Sequence, residues 1–172
     1  MKETILVIDD QKDILESLEL ILNYAGYNTL CSDNGVSGLR IIDEKKVDLV
    51  LLDIRMEGMD GITCLKKIKE KIPNLPVIMI SGVANIDMAI VATKKGAYDL
   101  LEKPLDKERV LLTIKNALSY SITSAQKKKL FNQIKSKYHI IGESPEILKI
   151  RDLILQVAET EARVLITGEN GT

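Results

Sequence analysis

Val47-Asp48-Leu49-Val50-Leu51-Leu52-Asp53 decides how this chain folds. Five of its seven residues are apolar, and it closes on a carboxylate. An unbroken apolar run of this length fits a strand buried on both faces of a parallel sheet. Ile54-Arg55-Met56-Glu57-Gly58-Met59-Asp60-Gly61 follows at once, so Asp53 stands where a core strand meets a Gly-rich loop. In open α/β sheets, ligands bind at that end of the strands. A carboxylate buried there without a partner is costly, so a partner is expected.

Reading outward, the same alternation recurs. Ile5-Leu6-Val7-Ile8 is a first strand ending on Asp9-Asp10, and Ile14, Leu15, Leu18, Ile21 and Leu22 then repeat at helical spacing until Gly26. Tyr27 to Cys31 is a second strand, and Asn34-Gly35 opens a second helix. Beyond the central strand, Asp60-Gly61 opens a third helix with Ile62, Leu65, Ile68 and Ile72 inside and a lysine-rich face outside. Val77 to Ile80 is a fourth strand ending on Ser81-Gly82, and residues 86–95 form a helix stopped by Gly96. Tyr98 to Leu101 is a fifth strand running into Glu102-Lys103-Pro104, and a fifth helix starts near Leu105. Strict β-α alternation predicts an α/β fold: a flavodoxin-like, doubly wound, five-stranded parallel sheet of order 2-1-3-4-5 with right-handed crossovers.

Bulk properties set limits. At 172 residues, with 45% hydrophobic and 28% charged residues, the chain holds one domain plus an extension, or two small domains. A net charge of -1 gives no general affinity for nucleic acid. Cys31 and Cys64 lack metal-ligand spacing and read as reduced thiols. His139 is the sole histidine, so neither a His-based metal site nor a Ser-His-Asp triad can be assembled. The first apolar run is too short for a signal peptide and no run approaches membrane-spanning length, so the expected location is the cytoplasm, with no membrane partner.

The chemistry gathers at the carboxyl ends of the strands. With the first and third strands adjacent, Asp9, Asp10 and Asp53 converge there, joined by Ser81 from the fourth strand and Lys103 from the fifth. Three close carboxylates repel unless a cation joins them, and a hard oxygen site of this kind suits Mg²⁺. Asp53 then reads as a nucleophile able to form an aspartyl phosphate. Lys103 supplies charge to the transferring phosphoryl group, and the Ser81 hydroxyl supplies a donor. Taken singly, an Asp-Asp N-cap, a Ser-Gly turn and a Lys-Pro dipeptide are commonplace; their joint placement at four strand ends is the signal. Other classes fit less well. An Asp-nucleophile phosphatase needs a further general acid and a cap, and a flavin binder needs a Ser/Thr/Gly-rich cradle after the first strand.

These residues carry a resemblance. Residues 3–118 resemble the receiver domain of two-component response regulators, through Ile5-Leu6-Val7-Ile8-Asp9-Asp10, Leu49-Val50-Leu51-Leu52-Asp53, Met59-Asp60-Gly61, Ile80-Ser81-Gly82, Gly96-Ala97-Tyr98-Asp99 and Lys103-Pro104. The resemblance implies that Asp53 is the phosphoacceptor, that Asp9 and Asp10 hold Mg²⁺ with the backbone carbonyl of Arg55, and that Ser81 and Lys103 contact the phosphoryl group. It implies a cis Lys103-Pro104 bond and a sensor histidine kinase as phosphoryl donor. Two positions depart from the pattern: Glu57 stands where the family usually has Pro, and Leu100 stands where it has a switch aromatic. A phosphorylation-independent pseudo-receiver is the alternative, disfavoured by the intact acceptor set.

The remainder extends the resemblance to sigma-54-dependent transcriptional activators of the NtrC/NtrX type. Residues 119–139 hold five lysines and no acid, and Phe131, Ile134 and Tyr138 continue an apolar set, so a helical linker supporting a homodimer is expected. From residue 140, Ser144-Pro145 caps an amphipathic helix, Val164-Leu165-Ile166-Thr167 reads as a strand, and Gly168, Gly171 and Thr172 resemble the start of a phosphate loop. The organisation expected is a receiver at 1–118, a linker at 119–139 and the first part of an AAA+ ATPase domain at 140–172. On this reading the chain is no enzyme itself. ATP, sigma-54 RNA polymerase and DNA would be engaged only by the full-length protein, whose ring assembly the phosphorylated receiver controls.

Overall fold

In the computed structural model, which describes residues 2–82, 86–137, 142, 144–158, 160, 163–165, 167 and 168, the predicted alternation is present. The strands are β1 (Thr4–Ile8), β2 (Asn28–Ser32), β3 (Leu49–Asp53), β4 (Val77–Ser81) and β5 (Asp99–Glu102). The helices are α1 (Lys12–Tyr24), α2 (Gly35–Glu44), α3 (Gly61–Lys71), α4 (Ile86–Lys94), α5 (Lys107–Lys137) and α6 (Pro145–Val157). All strand pairs are parallel, and the order is β2-β1-β3-β4-β5.

Side-chain alternation splits the strands' apolar residues between two layers. Leu6, Ile8, Val50, Leu52, Val77 and Met79 pack with Ile42 of α2, Cys64, Leu65 and Ile68 of α3, and Ala92 of α4. Ile5, Val7, Leu49, Leu51, Ile78, Ile80 and Leu101 pack with Leu18 and Leu22 of α1 and Val110, Ile114 and Ala117 of α5. Every residue of β3 is buried, as its unbroken apolar run requires. The Cys64 thiol lies inside the first layer, and burial pushes its pKa up to about 11.

Helix boundaries follow from local chemistry. Asn34 and Asp60 cap α2 and α3 by accepting from Ser37 N–H and Thr63 N–H at 2.8 and 2.9 Å. Gly26, at φ +94°, follows the C-cap of α1 in the left-handed conformation expected of it. α5 begins at Lys107, not near Leu105, because Asp106 caps it by accepting from Arg109 N–H at 2.8 Å. It then runs for 31 residues, so no break separates the fifth helix from the expected linker. Ala125, Phe131 and Ile134 lie on it, but their side chains fall outside the described residues, as does Tyr138 altogether.

Packing divides the chain into two compact units, residues 1–128 and 129–172. In the second, Ser144 caps α6 by accepting from Ile147 N–H at 3.4 Å with Pro145 in the first turn, as the sequence indicates. The strand expected at 164–167 does not form at its described positions. Val164, Leu165 and Thr167 are irregular, and Val164 and Leu165 are exposed. A β-branched run becomes a strand only with a partner to pair with, and among the described residues none of the five strands of the sheet pairs with it. Of the expected phosphate-loop residues, Gly168 is irregular and exposed, and Gly171 and Thr172 lie outside the described residues. No described helix is long and apolar enough to cross a membrane.

Candidate functional site

β1 and β3 are neighbours in register, with Ile8 opposite Leu52, so Asp9 and Asp53 follow at adjacent strand ends. On the other side of β3, Asp53 is paired with Ile80, and Ser81 stands one residue further along. Ser81 is opposite Glu102 of β5, and its carbonyl accepts from Lys103 N–H at 2.8 Å. The sheet thus delivers Asp9, Asp53, Ser81 and Lys103 to one edge. Asp9, Asp53 and Ser81 are 0%, 3% and 1% exposed, which makes them three of the few polar side chains inside the fold.

One ammonium bridges two of the acids. Lys103 Nζ lies 2.8 Å from Asp9 Oδ2 and 2.8 Å from Asp53 Oδ1. The second oxygens are held by the backbone: Gln11 N–H donates to Asp9 Oδ1 at 2.9 Å, and Arg55 N–H donates to Asp53 Oδ2 at 2.7 Å. Gln11 also accepts from Lys103 Nζ through Oε1 at 3.3 Å, a contact that sequence reasoning missed. Its signal was only its position, two residues after Asp9 at the turn into α1. The Lys103-Pro104 peptide bond is cis.

Asp10 is placed differently. It is partly exposed and does not reach the ammonium; its Oδ2 accepts from Glu57 N–H in the loop after β3, at 3.2 Å. Among the described residues, no group of three or more His, Cys, Asp or Glu side chains is arranged as a metal cluster. The side chains at hand nevertheless form an oxygen-only donor set at two adjacent strand ends, which is the chemistry that a hard divalent cation takes.

The electrostatics are those of two buried acids sharing one base. Burial pushes the Asp53 carboxyl above the usual carboxylate range, and the charge of Asp9 adds to this. The hydrogen bond and charge of Lys103, with the Arg55 N–H, pull the other way without cancelling it. Burial draws the Lys103 ammonium down, but its bonds to Asp53 and Asp9 outweigh burial and hold its pKa above the ordinary lysine value. The site is thus a lysine clamped between two buried acidic side chains. It suits a nucleophilic oxygen beside a fixed positive group.

Known proteins identify the family. The profile of the response regulator receiver domain matches residues 5–115. The chain is 38% identical over 168 residues to the transcriptional regulatory protein ZraR of Klebsiella oxytoca, covering 98% of this chain and 38% of that protein. It is 34% identical over 170 residues to a putative NtrX-like response regulator of Rickettsia bellii, covering 98% and 36%. Among solved structures, NtrX from Brucella abortus superposes with a TM-score of 0.77 at 36% identity, covering 99% of this chain and 38% of that one. A CheY-like receiver domain protein from Methanospirillum hungatei gives 0.69 at 28% identity, covering 72% and 99%. The chain thus spans less than two fifths of the length of the curated relatives it matches. It belongs to the response regulator receiver domain family.

Proposed function

We propose that this chain is the phosphoacceptor part of a two-component transcription regulator, and that Asp53 takes the phosphoryl group. The observation that carries the reading is the Lys103 ammonium at 2.8 Å from both Asp53 and Asp9 on the buried sheet edge. An Asp53 carboxylate oxygen bonds to phosphorus while the donor's own bond to phosphorus breaks, its electron pair leaving with the donor. The product is an acyl phosphate. Lys103 stands beside the oxygen that reacts, where negative charge accumulates on the equatorial phosphoryl oxygens. Ser81, buried at the adjacent strand end, supplies a hydroxyl donor to the same group. Asp9, Asp10, Asp53 and the Arg55 carbonyl would hold Mg²⁺, which would supply positive charge to the transferring phosphoryl group.

The donor is a sensor histidine kinase, the site of action is the cytoplasm, and the phosphorylated receiver acts through a homodimer. By likeness to ZraR and NtrX-like regulators, the full-length protein is a sigma-54-dependent activator. Phosphorylation controls assembly of its ATPase ring, with ATP, RNA polymerase and DNA bound by segments beyond those described. The organisation is a receiver at 1–118, a helical linker at 119–139 and the beginning of the ATPase domain at 140–172. The test is acetyl phosphate with and without Mg²⁺, read by intact mass on the wild type and Asp53→Asn. One phosphoryl adduct that needs both Mg²⁺ and Asp53 is expected. No adduct and no Mg²⁺ binding would leave a phosphorylation-independent dimerisation module.

A further inference from the structure

We infer that the backbone N–H of Glu57 is a positioning group that aims Asp10 at a divalent cation; the inference rests on the phosphoacceptor reading above. Four oxygens of the two buried acids are already engaged: Asp9 by Gln11 N–H and Lys103, Asp53 by Arg55 N–H and Lys103. Asp10 is the exception. Glu57 N–H holds its Oδ2 at 3.2 Å, and among the described residues its Oδ1 has no hydrogen-bond or ionic partner. A carboxylate tied by one oxygen, with its other oxygen open and Asp9 next to it in the chain, is held in one orientation and leaves an oxygen for a hard cation.

The tie reaches from the β1 end to the loop after β3, so it also fixes that loop against the site, Arg55 and its carbonyl included. Outer partners that orient a ligating carboxylate are worth on the order of 10–100-fold in metal affinity. A single bond of 3.2 Å in a partly exposed place belongs at the lower end. The Glu57 side chain is exposed, so what position 57 contributes is its N–H. Every residue supplies that group except proline. The residue that the resemblance leads one to expect here is therefore the one residue that could not make this bond.

The experiment titrates Mg²⁺ into the full chain and follows the Asp10 and Arg55 amide resonances, in the wild type, Glu57→Gln and Glu57→Pro, at constant ionic strength. Glu57→Pro is expected to weaken Mg²⁺ binding about tenfold, and Glu57→Gln by less than about twofold. Wild-type affinity in Glu57→Pro would overturn the inference, as would an equal loss in Glu57→Gln, which would assign the effect to side-chain charge. Should Glu57→Pro fail to fold, hydrogen exchange of the Glu57 amide decides. Protection in the wild type that is lost in Asp10→Ala supports the tie, and equally fast exchange in both overturns it. A wild type that binds no Mg²⁺ and takes no phosphoryl group is instead the failure of the phosphoacceptor reading, and the amide exchange still reports on the tie itself.

Discussion

Asp53 illustrates how a reactive residue is kept at a cost in stability. Its carboxyl is buried beside Asp9, and burial dominates the shift of its pKa above the ordinary range. A group that binds its proton more tightly in the folded state destabilises the fold wherever it is ionised. Asp53→Asn is accordingly expected to raise stability at pH 7 in Mg²⁺-free buffer, read as a higher Tm. The sign follows from the direction of the shift: the gain is full above the raised pKa and vanishes as pH falls below the ordinary carboxylate value. Thermal melts of both proteins at pH 7 and pH 3.5 check this, and a lower Tm for the variant at pH 7 would contradict it. At this scale the sequence disclosed the charged partners, because Asp9, Asp53 and Lys103 are each placed by the end of a strand. It did not disclose Gln11, or the amides of Arg55 and Glu57, because loop geometry aims those groups and residue type does not encode it.

At the scale of elements, α3 is fitted against β3 through one glycine. A Cβ on Gly61 would run into the carbonyl oxygen of Asp53 and come within 2.8 Å of the Ile54 Cα. Both are backbone atoms, so the start of α3 must back away. Gly61→Ala is expected to cost about 2 kcal/mol, lowering Tm by roughly 4–8 °C, and to slow acetyl phosphate labelling by shifting Asp53. Melting curves and the rate of mass gain measure the two effects. Element types in the sheet were legible because each strand is a short apolar run bounded by turn residues. The helix expected at 119–139 was legible as well: Ala125 to Leu130 are good helix formers, and α5 runs through them to Lys137. One element was not. The run at 164–167 has strand composition but no ladder to join, and pairing is a property that a local pattern does not carry.

For the whole molecule, the division into units of residues 1–128 and 129–172 sets an expectation about independence. Both core layers and the entire acidic edge lie in the first unit. A chain ending at Lys128 is expected to fold cooperatively with an unchanged melting midpoint and to take one phosphoryl group on Asp53. Calorimetry and intact mass test the two halves of that statement, and loss of either would make the second unit part of the fold.

The two-layer packing has a consequence for how such a site can change over time. Along β1, β3 and β5, residues two apart share a face: Ile5 and Val7 lead to Asp9, Leu49 and Leu51 to Asp53, and Leu101 to Lys103. The ammonium meets both carboxylates because the three strands end in phase. Gaining or losing a single residue inside any one of them would turn its terminal group to the opposite face while also exchanging its apolar residues between layers. The chemistry therefore shares a reading frame with the core. Strand length is frozen by the reaction as firmly as by the packing, while the loops at the opposite edge of the sheet are left as the place where this protein can acquire new sequence.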